Sequence, residues 1–325
     1  MKIITFDDIA SMRIKPVTCY EWVNELLINK SSIILPPKTS MKISGLDGVF
    51  CNVMPCIIPE KISPLGYSVG GVKIVTRYPN RTPALESRLI LFNADTGEDL
   101  ALINADWITA MRTGAVAAHS IKLLARENFS NIAIMGLGNT ARAVLLVLAE
   151  LFNNREMQIK LLRHKSQEDL FMRRFAEGKY KNLKFECVSS YEDLMRASDV
   201  IISAVTYADE DFCRDDKIFA SGVLVVPVHT RGFSNCDLTF DKIFADDYGH
   251  VKHFKNFGKF KSFAEVADIL TGKSPGRENN QERILAYNIG IAAHDINFAA
   301  HIYKLCGDDI SININMKGSD IKFWL

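Results

Sequence analysis

The chain has 325 residues, 48% apolar and 24% charged, the proportions of an ordinary globular protein of about two domains, which excludes the disordered and fibrous classes. Its 39 Lys and Arg against 38 Asp and Glu leave a formal net charge of +1, so no bulk field exists to hold nucleic acid or an anionic membrane. Seven scattered cysteines (Cys19, Cys51, Cys56, Cys187, Cys213, Cys236 and Cys306) contain no CxxC pair, which argues against a disulfide framework and a zinc site and points to a reducing, cytoplasmic compartment.

The opening MKIITFDDIA places Asp7 and Asp8 where a leader peptide would be apolar, and no apolar run approaches the ~18 residues of a membrane span. The expectation is a protein neither exported nor membrane-bound. From Ile33 to about Ala105, the segments KTSMKI, GVFCNVMPCII, YSVGGVKIVTRY and SRLILFNADTG are separated by Gly, Pro, Asn and Asp, which reads as a domain of short strands. Trp107 to Arg126 changes to helical spacing, with Ile108, Met111, Ala115, Ala118, Ile121 and Leu124 at threes and fours. After it NIAIMG, TARAVLLVLAELF, QIKLLR, a helix around Glu168 to Glu177, LKFECV, a helix from Tyr191 to Ala197 and DVIISAV alternate strand with helix. That rhythm predicts a parallel sheet covered on both faces. GVLVVPV and DKIFADD extend it to the size of a dinucleotide domain. Gln281 to Leu305 reads as one helix of about 25 residues, more than ~35 Å long at 1.5 Å per residue, returning the chain to the first domain.

The strand NIAIM is followed by Gly136-Leu137-Gly138-Asn139-Thr140-Ala141 and a helix, the GxGxxA form of the dinucleotide fingerprint in its required context. Gly136 permits the tight turn, Gly138 lets backbone approach a pyrophosphate, and Ala141 lets the helix pack on the strand. The helix N-terminus then offers N–H donors and positive dipole to the phosphates, with Asn139 and Thr140 beside them. At the end of the second strand an acid would hold a ribose 2′-OH and an arginine a 2′-phosphate. That strand ends in Arg163-His164-Lys165, so NADP is preferred and NAD is the alternative.

The segment joining the domains carries Asp95-Thr96-Gly97-Glu98, Ala101-Leu102-Ile103 and Trp107-Ile108-Thr109-Ala110-Met111-Arg112-Thr113-Gly114-Ala115. Together with Met54-Pro55, the strand Gly71-Val72-Lys73-Ile74-Val75, and Gly290, Asp295 and Ala299 near the C-terminus, it resembles the ornithine cyclodeaminase and mu-crystallin family. The resemblance implies an α/β fold: a Rossmann-type doubly wound parallel sheet domain over 116–295, plus a β-rich α+β substrate and dimerisation domain from 1–115 with 296–325. It implies a homodimer with a small amino or imino acid held between the domains beside the nicotinamide. Lys73 matches the family's strand lysine that approaches substrate, and Arg112 the arginine that grips its carboxylate. Thr113 is counted with the cofactor-binding residues. Lys38, in Leu35-Pro36-Pro37-Lys38, stands where the family has an arginine, keeping the charge for a second carboxylate contact without the bidentate fork.

The pattern breaks where the family's cyclodeaminases carry an acid/base aspartate before a PGK stretch. Here the chain reads Val228-His229-Thr230-Arg231-Gly232-Phe233-Ser234-Asn235-Cys236-Asp237. Either Asn235 or Cys236 replaces the aspartate, or Asp237 occupies its place as the catalytic acid/base or else that of the family's following glutamate, with His229 and Arg231 in the same loop. The activity this implies is NAD(P)-dependent hydride transfer at a C–N bond of an amino or imino acid, of amino acid dehydrogenase or ketimine reductase type. The alternatives are cyclodeamination of ornithine to proline and ammonia, and a non-catalytic NADPH-regulated small-ligand-binding role like that of mu-crystallin.

Overall fold

The computed structural model describes residues 1–176, 180–206, 208–307 and 312–314. Its first half runs β1 (Lys2–Ile4), α1 (Phe6–Ser11), α2 (Pro16–Ile28), β2 (Thr39–Met41), β3 (Phe50–Ile58), β4 (Val69–Arg77), β5 (Leu85–Asn93), β6 (Asp99–Asn104) and α3 (Asp106–Leu124). There follow β7 (Asn131–Met135), α4 (Asn139–Leu151), β8 (Met157–Leu162), α5 (Gln167–Ala176), β9 (Leu183–Val188), α6 (Tyr191–Met195), β10 (Val200–Ser203), β11 (Leu224–Pro227) and α7 (Cys236–Thr239). The chain continues through β12 (Lys242–Ala245), α8 (Tyr248–Val251), β13 (Phe263–Glu265), α9 (Val266–Leu270), β14 (Ile284–Tyr287), α10 (Ala292–Leu305) and β15 (Ile312–Asn313).

Two units divide these elements. The first takes Met1–Ile14, Ser31–Thr109 and the chain from Ala292 on. Its seven-stranded sheet has the order β15-β1-β6-β5-β4-β3-β2, antiparallel from β2 to β6, with β1 parallel to β6. Alternation of side chains sorts the strands into two faces. Met54, Cys56, Lys73, Val75, Leu89 and Leu91 are buried, and α10 packs against their strands. Ile74 and Ile90 lie in the opposite alternation and are exposed.

The second unit takes Lys15–Lys30 and Ala110–Ile291. Its eight strands have the order β13-β12-β14-β11-β10-β7-β8-β9, and every pairing is parallel. Counted from β7, the run 3-2-1-4-5 is the doubly wound order, reversing between β7 and β10. β10, β11, β12 and β14 are buried at every residue, as a sheet covered on both faces requires. The fold is thus α/β, a Rossmann-type parallel sheet domain with a second, β-rich domain.

Two expectations change. Gln281 to Leu305 is not one helix: Ile284-Leu285-Ala286-Tyr287 form β14, inserted between β11 and β12. Gly290, at φ +92°, lies before the helix, which begins at Ala292. A short all-apolar run suits a fully buried strand as well as a buried helix, so periodicity does not separate them. The stretch 15–30, expected in the first domain, groups with the second because α2 packs against α4 and α9. Among the described residues no helix is long and apolar enough to cross a membrane, and no group of three or more His, Cys, Asp or Glu is arranged to hold a metal ion.

Candidate functional site

In the second unit, the turn after β7 has the shape its glycines permit. Gly136 adopts φ +78°, and a Cβ there would lie 2.5 Å from the carbonyl carbon of Ala204 and the nitrogen of Val205. Gly138 caps α4 with no side-chain hydrogen bond, and the space where its Cβ would stand has nothing within 4 Å. The first N–H groups of a helix have no intrahelical acceptor, so an open, side-chain-free approach leads to them. Ala141 behind the turn is fully buried. This cradle fits a dinucleotide pyrophosphate. Arg142, which the fingerprint does not specify, stands at the turn with its guanidinium on Asn139 Oδ1. Burial, and next the charge of Arg174, hold it below the usual arginine range.

At the tip of β8, Arg163, His164 and Lys165 are exposed. A carboxylate does reach this tip, from the first turn of α5: Glu168 accepts the His164 N–H at 3.2 Å and lies 3.7 Å from Arg163. Backbone N–H donors, its own and that of His164, hold the Glu168 carboxyl below its ordinary range. Residue spacing did not reveal it, because the turn through Lys165 and Ser166 runs at φ +52° and +57° and folds α5 back on the strand end.

Arg112 and Thr113 lie on α3, Arg112 buried and Thr113 half-buried. The next residue explains their placement. A Cβ on Gly114 would lie 2.5 Å from Ala143 Cβ and 2.7 Å from Val144 N, so α3 and α4 touch backbone to backbone near the phosphate turn. Arg112 has a second glycine against it: a Cβ on Gly290 would collide with the guanidinium, and the Gly290 N–H donates to Asp246 Oδ2. His119, two turns on, is a packing residue, donating from Nε2 to Asn24 Oδ1 at 3.1 Å, with burial pushing its pKa down to about 4.

In the loop after β11, the Arg231 N–H donates to His229 Nδ1 at 3.4 Å. The ring proton is thereby left on Nε2, 2.6 Å from Ser203 Oγ at the end of β10. Burial lowers His229 to about 4, so the ring is neutral near pH 7. Asp237, the candidate acid/base of this loop, lies in the second unit, 3% exposed, with Oδ1 accepting the Tyr287 hydroxyl at 2.8 Å. Burial first of all raises its pKa to about 6. A polar cavity of about 460 Å³ opens beside this loop, among Asp209, Glu210, Arg214, Thr230 and Arg231.

In the first unit, Lys73 donates to Asp295 Oδ1 at 2.7 Å, and both side chains are 0% exposed. Thr109 Oγ1 lies 3.5 Å from the ammonium and donates to Ser87 Oγ at 2.9 Å. Asp295 enters from α10, and its contact with Lys73 was not legible in residue spacing. The signal was chemical: an ammonium in an apolar strand needs a partner. Lys38 is half-buried just before β2.

Relatives of this chain are found among known proteins. The chain is 27% identical over 263 residues, 74% of its length and 78% of the relative's, to the Δ(1)-pyrroline-2-carboxylate reductase of Bacillus cereus. It is 25% identical to the N-((2S)-2-amino-2-carboxyethyl)-L-glutamate dehydrogenase of Staphylococcus aureus, covering 73% of this chain and 75% of that one. In fold it is similar to the Thermococcus litoralis Δ(1)-pyrroline-2-carboxylate reductase in complex with NADH and L-proline, with a TM-score of 0.81 and 22% identity over 97% of this chain and 100% of that one. A family model matches from residue 5 to residue 308, and with it the chain belongs to the ornithine cyclodeaminase/mu-crystallin family.

Proposed function

We propose that this protein is an NAD(P)-dependent oxidoreductase that transfers hydride at the C–N bond of a small amino or imino acid. The observation that carries the reading is the side-chain-free approach over Gly138 to the N-terminus of α4, in a chain whose relatives include reductases and dehydrogenases of such substrates. A nicotinamide held there would supply hydride exchange at the substrate carbon that bears nitrogen. Gly136, Gly138, Asn139, Thr140 and Ala141 form the phosphate cradle, with Thr113 beside it. Arg163 and His164 favour a 2′-phosphate, hence NADP over NAD, with the Glu168 carboxylate engaged by the His164 N–H and Arg163.

Arg112 grips the substrate carboxylate, because a planar fork matches it with two parallel hydrogen bonds. Lys38 adds a second cation for the same group. Lys73 orients the reacting nitrogen and supplies its proton. A homodimer in the cytoplasm completes the reading, supported by the exposed Ile74 and Ile90 on the first unit's sheet and by seven free cysteines.

The test is a fluorescence titration with NADPH and NADH, followed by absorbance of the reduced cofactor with Δ(1)-pyrroline-2-carboxylate, 2-oxo acids plus amines, and L-ornithine. Consumption with ketimines or oxo acids, lost in Arg112→Ala while cofactor affinity is kept, upholds the reading. Release of proline and ammonia from ornithine with no net cofactor change makes the protein a cyclodeaminase instead. Tight NADPH binding with no turnover makes it a binding protein.

A further inference from the structure

The Lys73–Asp295 pair has features that a merely structural ion pair does not need. It lies in the middle of a sheet face, with Lys73 aligned across the strands with Met54, Leu89 and Ile103, all of them buried. Two charges in such a place gain little over well-packed apolar residues of similar size, and removing one partner leaves the other uncompensated. The carboxylate is delivered 222 residues away in sequence, from α10.

We propose that Asp295 is the positioning residue of the active centre: its contact with Nζ fixes the direction of the Lys73 ammonium and keeps it charged. Lys73 then acts on substrate as a cationic donor and not as an amine nucleophile. The inference rests on the functional reading above, in which Lys73 meets the substrate nitrogen. Burial supports it, since little solvent competes for the protons of a buried ammonium and a fixed geometry costs no reorganisation during reaction. α10 packs against β3, β4 and β5. Ionisable groups near Asp295 include Lys73 from β4, Cys56 from β3 and, next to it in sequence on α10, the buried His294, while β5 presents Leu89 and Leu91. Burial first and the Asp295 charge second push the Cys56 thiol up to about 12, so it stays neutral and does not compete for the lysine.

The experiment compares wild type, Asp295→Asn, Asp295→Glu, Lys73→Met and the Lys73→Met/Asp295→Asn double variant, using Δ(1)-pyrroline-2-carboxylate and the reduced cofactor that wild type prefers. The expected result is a kcat about 100-fold lower in Asp295→Asn, partial rescue in Asp295→Glu, and no further loss when Asp295→Asn is added to Lys73→Met, the signature of two residues acting as one unit. The alkaline limb of kcat/KM should also move to lower pH in Asp295→Asn, because a buried amine without its carboxylate loses its proton earlier. Cofactor affinity, read by fluorescence, should not change. Should Asp295→Asn fail to fold, the double variant, in which both buried charges are gone, and Asp295→Glu still decide the question. An active wild type whose Asp295→Asn variant keeps its kcat within about threefold, or whose double variant falls about tenfold below Lys73→Met, overturns the inference alone. A wild type that binds cofactor and reduces no C=N substrate overturns the functional reading and the inference with it.

Discussion

At Gly290 a hydrogen atom stands where any other residue would press a carbon into the Arg112 guanidinium. Gly290→Ala should therefore displace the arginine and strain a backbone at φ +92°. The expected outcome is a KM for the carboxylate substrate raised about tenfold or more, with NADH affinity within about twofold of wild type, measured by steady-state kinetics and fluorescence titration. Asp237 gives a second prediction, with a definite sign. Its folded pKa of about 6 lies above the ordinary carboxylate value of 3.8, so between those values the folded state binds more protons than the unfolded one. Stability contributed by this group is present at low pH and falls as pH rises from about 4 to 6, by roughly 1–3 kcal/mol. Urea unfolding at pH 4 and pH 7 should show a smaller fall in Asp237→Asn, and that variant should keep its turnover; a loss of about 100-fold in kcat would assign Asp237 the acid/base role. The phosphate glycines were legible because a tight turn and a phosphate approach each restrict residue type. The partners of Lys73 and Arg112 were not, since Asp295 and Gly290 meet them only after the chain has folded.

At the scale of elements, two glycines meet α4 from outside it, with opposite duties. Gly138 at its start faces open space, whereas Gly114, on α3, lies against its backbone. Gly138→Ala should leave stability within about 1 kcal/mol of wild type, and cofactor affinity should fall about tenfold, because the added methyl occupies the phosphate approach. Gly114→Ala should do the reverse at first hand, lowering stability by about 1–2 kcal/mol as overpacking against backbone outweighs the helix propensity gained. Denaturant midpoints and fluorescence titrations on the same two variants separate the duties. Strands with clear alternation, such as Leu85–Asn93, and the amphipathic α3 were readable from side-chain period alone. β14 was not, because Ile284–Tyr287 is apolar throughout and only its slot between β11 and β12 makes it a strand.

At the scale of the whole molecule, the sequence order of β-rich segment, alternating strand and helix, and C-terminal helix announced two domains. The place of α2 was not announced, since Cys19, Trp22, Val23, Leu26 and Leu27 mark a buried face without saying what buries it. The proposed homodimer makes a prediction at this scale: sedimentation should give twice the chain mass, and Ile74→Asp with Ile90→Asp should give a monomer, since unpaired charges inside an interface disfavour association. The ion pair beneath α10 also has a consequence for manufacture on the ribosome. Lys73 emerges 222 residues ahead of the carboxylate that neutralises it, and everything assigned to the second unit is synthesised in between or before. For that interval the lysine lacks the carboxylate that neutralises it, so its ammonium needs other solvation and the sheet face around it stays hydrated. A nascent chain paused short of α10 would therefore offer a wet, half-covered sheet to chaperones, and the sheet can dry only when translation has passed residue 295.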